Sequence, residues 1–305
     1  MRRLYKKDDN WLENRRRGIG GSDIAGVLGI SKYSSPLKVW HSKVYGNSYV
    51  KPTNAIKLGN ILEDGVATLF EDETGLKTRK NNYMLAHDKY DYLMANVDRE
   101  VVGGGILEIK TTVAMNRSEW AANVPIDYMY QLQWYLGITG QQTGYFACLL
   151  GNKDLVLKEV TLDNDLFYEM RDRAVNFWNN FVVTKIPPFA SENDKELLQS
   201  VYPAENVGEV KDLSNTAKLA LLERQSAVEE IKRLEAIEKA SENIVMQELE
   251  NNETGLCEGF KATWKQQSRR TFDKDGLCID YPEIYEKYAG ENINRELRIT
   301  EIKNK

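Results

Sequence analysis

Apolar and polar positions along the chain follow two rhythms. In NAIKLGNILEDGVATLFEDET, residues 54–74, Ile61, Leu62, Val66, Leu69 and Phe70 recur at helical spacing, and Gly75 follows as a stop. Upstream, Ser22 and Asp23 can cap a short apolar helix, IAGVLGI. The segment KYSSPLKVWHSKV restarts with Ser34 or Ser35 as cap and Pro36 in its first turn, so residues 22–45 read as helices around a turn. Between 79 and 112 the rhythm shortens. Strands are predicted near 81–86, at MANVDREVV and at ILEIKTT, the last two joined by a glycine-rich turn as an antiparallel hairpin. A helix over 125–138 follows. The strands GYFACLLG and DLVLKEVTL come next and flank a hairpin signal at Gly151-Asn152-Lys153-Asp154. An amphipathic helix over 163–184 ends before Pro187-Pro188.

Helix, strands, helix, strands, helix is the order of an α/β fold, a central mixed sheet flanked by helices. This core is predicted to occupy residues 1–190. Residues 191–213 are polar and irregular and read as a linker. Residues 214–254 contain no Gly or Pro, and Leu222, Val228, Ile231, Leu234 and Ile237 recur at spacings of three to six. One continuous helix there would be on the order of 60 Å long; a projecting arm and a helical hairpin both satisfy the pattern. Residues 255–305, with strand-like pieces in GFKATWKQQS and RRTFD, predict a small β appendage.

A length of 305 residues suits one large domain or a domain with a smaller appendage, and 42% hydrophobic content is enough for a sizeable core. No apolar run approaches the 18 residues of a membrane span, and the basic N-terminus, MRRLYKKDDNW, precedes no apolar stretch of a secretory signal. Three widely spaced cysteines, no CxxC and only two histidines argue against zinc and for a reduced, cytoplasmic chain. The net charge of −5 argues against indiscriminate nucleic-acid binding. Yet residues 1–50 carry ten Lys and Arg against four Asp and Glu. This N-terminal stretch is therefore either an anion-contacting region or a solubilising basic tail.

The stretch GGGILEIKTT, residues 103–112, carries the candidate chemistry. On a strand, Glu108 and Lys110 share one face and Ile109 takes the other. The pair is either an exposed ion pair of little energetic value or part of a metal-dependent nuclease site. Asp98, ten residues before Glu108, can sit beside it on the neighbouring strand of the hairpin. Two adjacent carboxylates repel, and a divalent cation removes that penalty. Mg²⁺ takes one or two carboxylates plus waters and a substrate phosphate, and supplies Lewis acidity and an activated water. Lys110 would then orient the attacking water or stabilise transition-state charge. Glu63, on the 54–74 helix, is a further acidic candidate, with Gly59 four residues earlier able to admit another backbone; a solvated helix face is the alternative. Gln131 and Tyr135 share a face of the 125–138 helix, where the glutamine can orient water or contact phosphate, or be a satisfied core residue.

In WLENRRRGIGGSDIAGVLGIS (11–31), GNILEDGVATLFEDETG (59–75), ANVDR (95–99), LEIKTT (107–112) and YQLQWYLGITG (130–140), taken in order, the chain resembles the phage lambda-type exonuclease and YqaJ-like viral recombinase family of PD-(D/E)xK nucleases. The match covers residues 11 to about 185, and Val97 replaces the proline of the Pro-Asp signature. The resemblance implies a restriction-endonuclease-like core. Asp98, Glu108 and the backbone carbonyl of Ile109 would ligate metal, with Glu63 joining through metal or water. Lys110 would be the catalytic lysine, and Gln131 and Tyr135 would complete a Q-x-x-x-Y pattern. Arg15 and Ser22 would grip the 5′-terminal phosphate in a pocket apart from the carboxylates, an assignment that can slip to Arg16 or Arg17. A guanidinium fork suits a phosphate, and a serine at a helix start adds donors. The implied activity is Mg²⁺-dependent (Mn²⁺ substituting) 5′-to-3′ digestion of linear double-stranded DNA, leaving 3′ overhangs. The implied partners are DNA ends, a single-strand annealing protein and further copies of the chain in a trimeric ring. An endonuclease on the same scaffold lacks a use for the 5′-phosphate pocket, and a non-catalytic recombination factor lacks a use for an intact set of Glu63, Asp98, Glu108 and Lys110.

Overall fold

The computed structural model describes residues 2–6, 10–46, 53–151, 153–290 and 295–300. Asn152, within the turn signal at 151–154, lies outside them. The chain divides into two compact units, Met1–Tyr202 and Pro203–Lys305.

The first unit is built on a five-stranded mixed sheet. Its strands are β2 (Thr78–Lys80), β5 (Arg99–Val101), β6 (Ile106–Thr112), β7 (Thr143–Leu150) and β8 (Asp154–Thr161), in the order β2-β5-β6-β7-β8. Only β6 and β7 run parallel, through the helices α5 (Arg117–Ala122) and α6 (Ile126–Thr139). The β5–β6 hairpin turns on Gly103, Gly104 and Gly105, whose φ angles of 101°, 124° and 116° lie where only glycine is unstrained. A smaller three-stranded sheet joins β1 (Arg2–Lys6), β3 (Tyr83–Ala86) and β4 (Met94–Ala95).

The alternation of β6 divides the core. Leu107 and Ile109 face α4 (Asn54–Thr74) and pack with Val66, Ala67 and Phe70. Ile106 faces the opposite layer, formed by α2 (Gly21–Leu28), α3 (Pro36–Tyr45), α6 and α7 (Asn164–Phe177), where Trp134, Leu132 and Phe146 lie fully buried. Glu108 and Lys110 fall on this second face.

Several expectations need correction. The predicted strand MANVDREVV is two strands in different sheets, with Asn96–Asp98 bridging them. The helical periodicity of 54–74 overstates burial: Val66 and Phe70 are in the core, but Ile61 is 73% exposed and Leu69 is also exposed. Residues 191–202 are not linker. A one-turn helix, Glu192–Asp194, leads into α8 (Lys195–Val201), and Leu197 is buried in the main core. Buried Asp194 accepts hydrogen bonds from the Ser35 hydroxyl and, at 2.6 Å, from the Ser191 amide, which ties this segment to the start of α3.

In the second unit, residues Asn215–Leu249 form one unbroken helix, α9, about 52 Å long, so the hairpin alternative is not realised. The helix ends at Glu250, short of the predicted residue 254. A two-stranded ribbon follows, β9 (Thr254–Cys257) with β10 (Phe260–Thr263). The strand expected at RRTFD is irregular, and two unforeseen short helices, α10 (Lys274–Asp280) and α11 (Pro282–Tyr288), complete the unit. Among the described residues no helix is long and apolar enough to cross a membrane.

Leu197→Ala should destabilise the protein by about 2–5 kcal/mol in urea unfolding, the cost of emptying a core site. A change of a few tenths would return residues 191–202 to linker.

Candidate active site

One cleft runs between α4, the C-terminal part of β6 and α6. Its lining includes Arg15, Ser22, Gly59, Glu63, Asp98, Glu108, Ile109, Lys110, Gln131 and Tyr135, around a volume of about 410 Å³. The metal, lysine, glutamine and phosphate candidates singled out from the sequence therefore border one space, brought together from five elements and one connection.

The hairpin register explains the centre. Arg99 pairs with Leu107, so Asp98 falls beside Glu108. The Asp98 carboxylate accepts a hydrogen bond from the Ile109 amide at 2.9 Å. Glu108 is 1% exposed. Its Oε1 accepts from Lys110 Nζ at 2.7 Å and from Gln131 Nε2 at 2.7 Å. Gln131 completes the ring: its Oε1 accepts from Lys110 at 3.1 Å, and its Nε2 also donates to the Tyr135 hydroxyl at 3.0 Å. The exposed ion pair is thus not what the sequence places here. Burial alone would lower the lysine's pKa, but the charges of Glu108 and Asp98 and the Glu108 hydrogen bond outweigh it, so Lys110 is held above its ordinary value and stays cationic. Burial, with the same two carboxylates, pushes the Tyr135 phenol well above its ordinary value, so it remains a neutral hydroxyl.

Glu63 borders the cleft from α4 and lies 3.6 Å from Lys80. Gly59 does not admit a backbone. A Cβ there would meet the Thr111 hydroxyl of β6 at 3.4 Å, so the glycine gives room to a side chain.

The N-terminal block forms the other wall. Arg15 Nη2 donates to Ser22 Oγ at 2.5 Å. Both border the same cleft as the carboxylates, so the pocket is contiguous with the centre rather than apart from it. Arg16 is turned to Glu13 and the Val44 carbonyl, and Arg17 to Tyr5, so Arg15 is the arginine of the three that borders the cleft. Ile19 pins this block: its amide donates to the Tyr92 carbonyl at 2.7 Å, and its carbonyl accepts from the Met94 amide at 2.8 Å. Gly21 lets α2 approach α6, since a Cβ there would lie 2.4 Å from the Tyr135 ring.

Two residues here, Lys43 and Tyr128, escaped the sequence reading, and Asp23 entered it only as a helix cap. Lys43 is buried, and its ammonium donates to the Arg15 carbonyl at 3.0 Å and to Asp23 at 2.6 Å. Asp23 also accepts from the Gly20 amide at 2.9 Å, so it fastens the start of α2 as well as pairing. Burial would raise its pKa, but Lys43 and Arg15 overcome that and hold it below the ordinary carboxylate range. A readable signal existed for Lys43, a cation placed three and four residues after Trp40 and Val39, on the apolar face of α3. Tyr128 carried no such signal; its ring lies 4.6 Å from the Lys110 ammonium and closes that side of the centre.

The donor set is all oxygen. Among the described residues no three His, Cys, Asp or Glu side chains gather as a metal-holding group. Two carboxylates beside open cleft fit Mg²⁺, which keeps waters and takes up substrate oxygens.

The YqaJ-like viral recombinase domain matches residues 10–142. Over 302 residues, 96% of this chain, the sequence is 34% identical to "Uncharacterized protein YqaJ" of Bacillus subtilis (strain 168), and the match covers 94% of that protein. In fold, the chain is similar to LHK-Exo in complex with dAMP, with a TM-score of 0.50 and 17% identity over 64% of this chain and 98% of that one. A second structure of LHK-Exo, an alkaline exonuclease from Laribacter hongkongensis, aligns with a TM-score of 0.49 and 16% identity over 65% of this chain and 100% of that one. The chain belongs to the YqaJ-like viral recombinase family.

Lys43→Met leaves Asp23 buried without its cation and should cost about 3–5 kcal/mol in chemical unfolding. Asp23→Leu added to Lys43→Met should recover much of that loss. A double variant no more stable than Lys43→Met would refute the pairing account.

Proposed function

We propose that this protein is a Mg²⁺-dependent exonuclease that digests linear double-stranded DNA from the 5′ end and leaves a 3′ single-stranded overhang. The observation that carries the reading is contiguity. An arginine–serine pair suited to a terminal phosphate borders the same cleft as two carboxylates and a lysine suited to phosphodiester hydrolysis. Membership of the recombinase family and the fold shared with an alkaline exonuclease support it.

Asp98, Glu108 and the Ile109 carbonyl would hold the metal, with Glu63 close enough to the cleft to act through water. When bound, Mg²⁺ supplies Lewis acidity toward the phosphate and an activated water. The rest is done by this chain's own residues. Gln131 fixes Glu108 and Lys110 relative to each other. Lys110, kept cationic, donates to a phosphate oxygen or to the attacking water and offsets the charge that builds at phosphorus. Water attacks phosphorus, the P–O3′ bond breaks, and the departing oxygen takes up a proton. Each cut leaves a new phosphate on the 5′ end of the shortened strand. Arg15 and Ser22 can then grip that phosphate in turn, which gives the pocket a repeated use that an endonuclease would lack.

Lys110→Ala, Glu108→Ala or Asp98→Ala should each abolish cleavage, and excess EDTA should do the same to the wild type. Ca²⁺ should bind but fail to support cleavage, because it holds its ligands in looser geometry. Near-wild-type rates for Glu108→Ala at saturating Mg²⁺, or undiminished activity in EDTA, would sink the metal mechanism.

The end-recognition part is tested by initial rates on matched duplexes with 5′-phosphate and 5′-hydroxyl. A charge-assisted arginine–phosphate contact is worth roughly 1.5–3 kcal/mol, so the phosphorylated end should be digested about ten-fold faster or more. Arg15→Ala should lose most of that preference and affect hydroxyl-ended DNA much less. Equal wild-type rates on the two ends would remove the pocket and favour endonuclease cleavage.

A further inference from the structure

The second unit carries a surface that the cleft does not use. Its residues 203–305 hold 16 Lys and Arg against 21 Asp and Glu, yet the stretch from Gly259 to Phe272 contains four of those cations and none of the acids. Lys261, Lys265, Arg269 and Arg270 are interleaved with three aromatic residues that the fold leaves in solvent. Phe260 is 77% exposed, Trp264 52% and Phe272 73%. An acidic unit that sets four of its cations, with no acid, among unburied aromatic rings has spent no core on those rings. A hydrophobic ring left in water at three neighbouring places is informative where one would not be.

The local structure sets the spacing. Phe260 and Lys261 lie on β10, and the Trp264 amide continues the ladder to the Glu253 carbonyl at 2.9 Å. Phe260 and Trp264, four residues apart on an extended strand, therefore share one face about 13 Å apart. Ala262, and Gly255 on the partner strand, lie between them on that face, and the buried Leu249 packs against Gly255 there. The chain then runs irregularly from Lys265 to Asp273. Lys265 pairs with Glu253 at 3.1 Å, whereas Arg269 and Arg270 make no ion pair with any described carboxylate.

We propose that this ribbon and the segment after it are a binding surface for single-stranded DNA, with Phe260, Trp264 and Phe272 as stacking platforms and Arg269 and Arg270 on the phosphates. Aromatic rings accept any base on their faces, and cations track the backbone, the pairing of features that single strands require and a closed duplex cannot use. Charge complementarity selects a polyanion, and the unburied rings select one whose bases are unstacked. The surface is separate from the cleavage site in sequence and in unit, so the inference does not rest on the proposed exonuclease activity.

The test uses the full chain in EDTA, where cleavage is silent, and a fluorescent 20-nucleotide oligothymidylate read by anisotropy. Trp264→Ala should weaken binding about ten-fold, and Trp264→Phe, which keeps a stacking ring, should bind nearly as wild type. Arg269→Gln with Arg270→Gln should reduce the magnitude of the salt slope of log K by about 1.4, two phosphate contacts at roughly 0.7 each. Because Trp264 is the single tryptophan of residues 203–305, the oligonucleotide should also quench a fluorescence component that Trp264→Phe lacks. Wild-type affinity in both Trp264→Ala and the double arginine variant would overturn the proposal and leave the surface to an acidic protein partner. A matched duplex whose affinity falls in Trp264→Ala as much as that of the oligonucleotide would also overturn it.

Discussion

Glu108 carries its carboxylate on an inner strand of the sheet, where an uncompensated charge would cost several kcal/mol. The first unit is arranged to meet that constraint. Lys110 supplies the counter-charge from the same strand face, and Gln131 supplies an amide from the helix that crosses above. For Gln131 to reach, α6 must pack at a fixed height, and Trp134, Leu132 and Leu136 fix it through the core. A buried ion pair of this kind is weak evidence for stability, since a well-packed apolar pair of similar size would serve the fold as well. Its retention in the floor of a cleft fits a chemical use better than a structural one.

A second buried pair plays the corresponding role for the N-terminal wall. Lys43 and Asp23 hold the Arg15 carbonyl and the first amide before α2, so the backbone on both sides of the Arg15–Ser22 contact is tied to α3. The bridge of Ile19 to the Tyr92–Met94 segment adds a third tie. The short helix Trp11–Arg16, only six residues long, would otherwise leave Arg15 free to sample many positions. The guanidinium is presented by a backbone held at the Arg15 carbonyl and at the start of α2, which gives a long side chain a defined position.

The two units differ in what holds them. In the first, the two buried clusters on either face of the sheet account for the fold, and even the 191–202 segment is drawn in by Leu197 and Asp194. In the second, the apolar residues of α9 are largely exposed, and the ribbon leaves its aromatic rings in water. A unit with so little core has its surface available for recognition, in line with the asymmetry of its charges.

The sequence by itself determined the alternation of elements, the β5–β6 hairpin and the neighbourhood of Asp98, Glu108 and Lys110, because strand period and turn chemistry are local and act within about ten residues. It also indicated that Gln131 and Tyr135 share a face, through the helical period. Only the tertiary structure decided that Arg15 and Ser22 share a cleft with the carboxylates, that Lys43 is buried against Asp23, and that Tyr128 covers Lys110. Those contacts join residues 18 to more than 90 positions apart, and their formation depends on how α2, α3 and α6 pack on one another. It likewise decided that 191–202 belongs to the core and that Ile61 and Leu69 do not. A polar segment is recruited when one leucine and one capped aspartate find partners, and a periodic apolar residue stays in water when no layer covers its turn of the helix. Periodicity states which side chains can be buried together; whether another element arrives to bury them is a property of the packed chain.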